Sequence, residues 1–352
     1  MKDNPVPFLK SRLPLGDSAS KCVWGHPNIP SYKCAHAPHN DPDAGGMCFL
    51  HWENHDKDQE EFIEHLNQFC SLISGSTLLR LDLRGVVFPH GIRLGDFMKS
   101  HQNLRCVFRL AVFGDGTDFS GVIFPSESDF SYSSFANETN FSDVTFGMGA
   151  DFMNATFGDR TRFSDATFGD ELRFSDARFG KEAKFPGATF GRAVDFSDTT
   201  FGDGADFNGA AFGEQTLFMW VTFGEGTSFS RAHFGEKTNF RGVTFGQEVD
   251  FFEAKFGEGL TYYQATFGDG TDFSGATFDE GADFNGAAFV GVVHFFKTNF
   301  SGQVVFHNVK FQQKAKVRFR EVDLGEASFH GTNLEGIDFL NCELPTEDEE
   351  KE

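Results

Sequence analysis

The chain has 352 residues, with 30 Lys and Arg against 52 Asp and Glu, a formal net charge of -22, and 48 Phe beside only 4 Tyr and 3 Trp. That charge argues against nucleic-acid phosphates or an anionic lipid surface as partner and favours a basic protein surface. No apolar run is long enough to span a bilayer and the first residues lack the apolar core of a secretory signal, so a cytoplasmic protein is expected.

Residues 1–75 differ in composition from everything that follows. Four of the six Cys fall here, three of them in Cys22-Val23-Trp24, Cys34-Ala35-His36 and Cys48-Phe49-Leu50-His51. Three thiolates and one imidazole make a tetrahedral zinc set, and Cys-x-x-His lets both ligands reach one ion. The expected ligands of a structural zinc are Cys22, Cys34, Cys48 and His51, with His26, His36 and His39 as substitutes. The alternative is a small segment whose Cys only pack. A closed site of four protein ligands leaves no open coordination position, which favours a structural over a catalytic metal. His51 and His55 do not flank the Glu of a His-Glu-x-x-His protease motif. Residues 57–73 then place Phe62, Ile63, Leu66, Phe69, Cys70 and Ile73 at helical spacing. Asp56, Asp58, Glu60 and Glu61 stand near the start, where the helix dipole favours acids. An amphipathic helix is predicted, capping the first turn of whatever follows.

A repeat begins irregularly over 81–107, at Leu81-Asp82-Leu83 and Val86-Val87-Phe88, and becomes regular at Phe108. From 108 to 311 the steps alternate between five and six, generating 38 positions of which 37 are Phe and one is Tyr262. The period is eleven, as in Ala205-Asp206-Phe207-Asn208-Gly209 followed by Ala210-Ala211-Phe212-Gly213-Glu214-Gln215. With the Phe as position i, residue i-2 is small, so i-2 and i enter a core while i-1 points out. Ser, Asn, Gly, Asp and Glu follow as turn residues. After Phe311 a second register appears, with Phe319, Leu324, Phe329, Leu334, Phe339 and Leu344 at uniform steps of five. These units over 317–344 are expected to form a C-terminal cap or a homodimer interface. Residues 345–352 read as an acidic, disordered tail.

This pattern resembles that of the pentapeptide-repeat proteins, whose unit has a small residue at i-2, Asp or Asn at i-1 and Leu or Phe at i. The resemblance implies an all-β fold, a right-handed quadrilateral β-helix with four units per coil. A coil here would take 22 residues instead of 20, the extra residue falling in the Phe-Gly-Asp/Glu-x turn. The leader is similar to the Cys-rich segment ahead of the repeats in some bacterial members.

With 22 residues per coil, one corner column holds Asp159, Lys181, Asp203, Glu225, Gln247 and Asp269, and the opposite one Asp170, Arg192, Glu214, Glu236, Glu258 and Glu280. The resemblance offers one reading of these acidic ridges, a DNA mimic that regulates DNA gyrase; solvation of an acidic protein is the plainer one. Arg162, Arg173, Lys181, Lys184 and Arg192 interrupt the acidity midway. A Thr column, Thr200, Thr222, Thr244 and Thr266, is expected of good strand residues. Outward aromatic residues are scarce, so the partner-binding candidates are Glu214, Glu236 and Glu258 with Trp220 (beside Met219), Phe252, Tyr263 and Phe296. His233, His294, His307 and His330 have no Ser or Cys nucleophile in matching columns, and no P-loop exists. A non-enzymatic protein-interaction scaffold is expected, a metal-dependent enzyme using the leader being the remaining alternative.

Overall fold

The computed structural model describes residues 25–26, 29–33, 56–73, 80–101, 104–312 and 315–345. It divides into Met1–Glu53 and Asn54–Glu352. In the first unit, Gly25–His26 pairs antiparallel with Ile29–Lys33.

The second unit opens with helix α1, Gln59–Ile73, and continues as a parallel β-solenoid of about 12 turns. Each regular coil has four faces. Two-residue strands that end on a Phe build face 2, an 11-strand parallel sheet, and face 4, a 9-strand sheet. In face 2 Thr156-Phe157 lies beside Arg178-Phe179, and in face 4 Thr167-Phe168 lies beside Thr189-Phe190, 22 residues on in both cases. The other faces are narrower, joined by single bridges. Face 1 runs through Asp129, Asp151, Arg173, Asp195, Leu217, Asn239 and Thr261. Face 3 runs through Asp118, Asn140, Arg162, Lys184, Asp206, Ser228 and Asp250.

The core is the Phe ladder. Rings 22 apart stack nearly parallel, as Phe163 on Phe185 (4.8 Å, 3°) and Phe185 on Phe207 (4.8 Å, 7°). Rings of neighbouring faces meet edge to face, as Phe146 and Phe152 do at 5.1 Å and 87°. Both are favoured quadrupole geometries. Beside the inward Phe the i-2 places are buried and mostly small, Ala, Val, Ser or Thr, with Leu172 and Leu260 as larger exceptions. Where Thr fills that place its hydroxyl is satisfied locally, Thr161 donating to Gly158 O and Thr238 to Gly235 O.

Two kinds of glycine shape the turns. In the short turn the second residue adopts positive φ, occupied by Gly209 (65°) but also by Asp165 (55°) and Trp220 (59°). The glycine that follows most face 2 and face 4 Phe does something else, because its φ is not positive. A Cβ at Gly158 would stand 2.6 Å from Asn137 N, and one at Gly224 2.6 Å from Asp203 N and Gly202 C. The Phe-Gly pair is therefore a steric demand of the coil below.

Both ends depart from the regular coil. Arg80-Leu81-Asp82 pairs with Arg105-Cys106-Val107, 25 residues on, and the added length forms helix α2, Gly95–Lys99, in the interruption between Phe88 and Phe108. Its Phe97 and Met98 are buried. At the other end Val317–Arg320 pairs with Ile337–Leu340, a 20-residue coil that matches the five-residue register. The predicted capping helix is present: Phe62 and Leu66 of α1 are fully buried, and Phe62 meets Phe88 edge to face at 5.3 Å. Lys57 Nζ donates to Val87 O (2.8 Å) and Gln59 Nε2 to His90 O (2.8 Å), closing open backbone groups of the first coil.

Candidate interaction surface

Many outward polar groups are committed to the fold. On faces 1 and 3 the Asp or Asn before the Phe accepts from the backbone N–H two residues on. Asp206 does so from Asn208 (3.0 Å), Asn239 from Arg241 (2.9 Å) and Asp250 from Phe252 (2.7 Å). These are Asx turns, and they explain the residue choice at i-1 on those faces. Burial raises the carboxyl pKa of Asp151, with the Asp129 charge adding to the rise, and does the same to Asp250, with Asp272 adding.

The corner acids are partly structural as well. Asp159 Oδ1 accepts from Lys181 N (2.8 Å), Asp170 Oδ1 from Arg192 N (2.8 Å) and Asp203 Oδ1 from Glu225 N (3.2 Å), each bond tying one coil to the next. The cations that interrupt the ridges pair along them: Lys181 Nζ with Asp203 (2.9 Å) and Arg192 with Glu214 (2.7 Å). The hydrogen bond from Lys181 holds the Asp203 carboxyl below its usual range, and Asp203 in turn raises the lysine. Both pairs are exposed and contribute little to stability. Among the described residues Glu236 and Glu258 form no ion pair and stand exposed.

The aromatic candidates split between two opposite corners. Tyr263 lies under Arg241 (5.1 Å), in the column that also holds Met219, with Trp220 in the adjoining column of the same corner. Trp220 is 52% exposed and lies across Gly242 of the next coil, where an added Cβ would strike the indole. The half-buried Phe252 lies near Arg231 (5.7 Å) and the half-buried Phe296 near Arg320 (5.1 Å) on the far corner. The structure thus brings Glu214, Glu236, Glu258, Trp220 and Tyr263 to the two edges of face 1 and keeps Phe252 and Phe296 away from them. Column arithmetic missed one pair: His307 Nε2 lies 2.7 Å from Ser328 Oγ, because the coil lengthens there. Among the described residues no carboxylate orients that imidazole, as a nucleophile–base pair requires.

The expected zinc ligands Cys22, Cys34, Cys48 and His51 lie outside the described residues. Among the described residues no cluster of His, Cys, Asp or Glu could hold a metal, and no helix is long and apolar enough to cross a membrane.

A four-faced parallel solenoid with an inward Phe in each unit, and Asp or Asn before many of the Phe on two of its faces, defines a class of repeat protein. A profile for Pentapeptide repeats (9 copies) matches residues 141–189, 229–277 and 295–343, and the chain is a pentapeptide-repeat protein. Among solved structures it is similar to full-length QnrB1, a plasmid-mediated fluoroquinolone resistance protein. That match has 16% identity over 64% of this chain and 91% of that one, with a TM-score of 0.29. It is also similar to HetL, involved in heterocyst differentiation regulation, from the cyanobacterium Nostoc sp. strain PCC 7120. There the identity is 15% over 78% of this chain and 92% of that one, with a TM-score of 0.20. No curated protein matches the chain.

Proposed function

We propose that the protein is a non-enzymatic, cytoplasmic interaction scaffold whose partner presents a basic protein surface. One observation carries this reading. The inward side chains, the Asx carboxylates and several corner acids serve the coil, whereas Glu236, Glu258 and Trp220 are exposed without an evident structural duty. Exposed aromatics beside unpaired charge are the composition of a binding edge. The pairs Lys181–Asp203 and Arg192–Glu214 break both ridges at about the same level, which weighs against a continuous anionic path like that of duplex DNA. Supercoiling by a gyrase is accordingly expected to proceed unchanged at micromolar protein. The leader's Cys22, Cys34, Cys48 and His51 suit a structural zinc by donor chemistry, and elemental analysis of chelator-free protein should find about one zinc per chain. The scaffold reading is tested by capture from native lysate with the wild type and with Glu236→Lys/Glu258→Lys. Loss of a captured protein on charge reversal supports it, and absence of any captured protein overturns it.

A further inference from the structure

We propose that face 1, over the three coils carrying Leu217, Asn239 and Thr261, seats a basic amphipathic α-helix of a partner, lying along the solenoid axis; this rests on the scaffold reading and specifies its partner. These three coils are an uncharged interval in the face, between Asp195 and Asp283. One edge is the ridge Glu214, Glu236 and Glu258; the other is Met219, Trp220, Arg241 and Tyr263. The first edge carries three carboxylates and one cation, Lys237 exposed beside Glu236, and the second is aromatic.

Spacing selects the occupant. Phe218, Phe240 and Tyr262 beneath the strip have ring centroids 4.7 and 4.9 Å apart, which measures the coil repeat. Glu214 and Glu258 are therefore separated by about 9.6 Å along the axis, close to the roughly 10.5 Å that seven residues of an α-helix rise. Lys or Arg at i, i+4 and i+7 of a helix can face all three acids. An extended strand repeats its same-side residues every ~6.8 Å and slips out of register within one or two coils. An α-helix is also about 10 Å across, enough to reach from one edge of a face to the other. Each edge carries one cation, Lys237 beside Glu236 and Arg241 stacked on Tyr263, but only the first carries carboxylates, so the basic stripe belongs over the glutamates and the apolar stripe over Trp220. Trp220 itself sits at φ 59°, a conformation that Gly would hold without strain, and it remains 52% exposed.

The test uses the full chain and a labelled synthetic helix of about 18 residues with Lys at i, i+4, i+7 and i+11 and an adjoining Leu stripe, beside a scrambled peptide of equal composition. Fluorescence anisotropy should show the patterned peptide binding at least about tenfold more tightly than the scrambled one. Trp220→Gly and Glu236→Lys/Glu258→Lys should each weaken it about tenfold, whereas Glu225→Lys on the diagonal ridge should leave it unchanged. Trp220→Gly suits its backbone and keeps the test open if the charge reversal lowers the thermal midpoint. Equal binding of the two peptides, or an equal loss from Glu225→Lys, overturns the proposal. Lysate capture that survives both face 1 variants overturns this seat and leaves the scaffold reading standing.

Discussion

Tyr262 stands where the ladder otherwise holds Phe. Its ring stacks on Phe240 at 4.9 Å and Phe284 at 5.0 Å, but its hydroxyl is fully buried without a hydrogen-bond partner, and burial pushes its pKa well above the usual phenol value. An unsatisfied buried hydroxyl costs about 1 to 3 kcal/mol, so Tyr262→Phe should raise stability by that order, read as a higher midpoint in thermal or urea unfolding. A fall would mean the hydroxyl is satisfied. The half-buried carboxyls make a second case. Asp151 and Asp250 hold their protons more tightly folded than unfolded, so each favours the folded state in acid and loses that contribution as pH rises past its folded-state pKa. Asn keeps the Asx bond, as Asn140 and Asn239 show in the same two bridge faces. Asp151→Asn and Asp250→Asn should therefore raise the melting temperature at neutral pH, with the gain vanishing below the carboxylate range. A gain that instead grew toward acid would contradict the sign.

Helix α1 shows what an end element contributes. Phe62 packs on Phe88 and Leu66 is buried with it, and Phe62→Ala should destabilise by about 3 to 5 kcal/mol. Because each coil touches only its neighbours, the loss should be concentrated near residues 80–113, with amide exchange rising there and little changed beyond Phe207. Uniform acceleration along the solenoid would refute nearest-neighbour coupling. The helix and the ladder were legible because both are periodic: Phe62, Ile63 and Leu66 follow 3.6, and Phe108 to Phe311 follow eleven. Helix α2 was not, since five residues after Leu94 are too few to show a period. The Phe-Gly requirement also escaped, because the clash at Gly158 comes from Asn137 one coil away and has no local signature. Positive φ at Trp220 or Glu182 runs against local preference altogether, imposed by coil closure. At the surface, the columns were legible by counting, but the role of Asp159 or Asp203 as an inter-coil acceptor depends on turn geometry that counting does not supply.

The whole molecule is asymmetric in how it ends. The first coil is covered by α1, whereas among the described residues nothing covers the last. Leu334 and Leu344, ladder positions that would be buried in mid-solenoid, are 52% and 50% exposed, and Leu340 beside them is 53% exposed. The strand Ile337–Leu340 also ends its sheet with an unpaired edge, an arrangement soluble solenoids seldom leave open. The charges around it are mixed, with Lys316 bonded to Asp338 at 3.1 Å and Arg318 close to the same carboxylate. Residues 315–345 still hold three cations against six acids, so two copies repel and their association should tighten as salt screens the charge. A two-fold axis through the end would bury both leucine sets against each other in an isologous contact. Sedimentation velocity should therefore find a concentration-dependent dimer for the wild type and a monomer for Leu334→Lys/Leu344→Lys. Both side chains are already about half exposed at the open end, so the melting temperature of the variant at low concentration should stay near that of the wild type. A wild type that sediments as a monomer across the accessible range would leave the exposed leucines to a different partner.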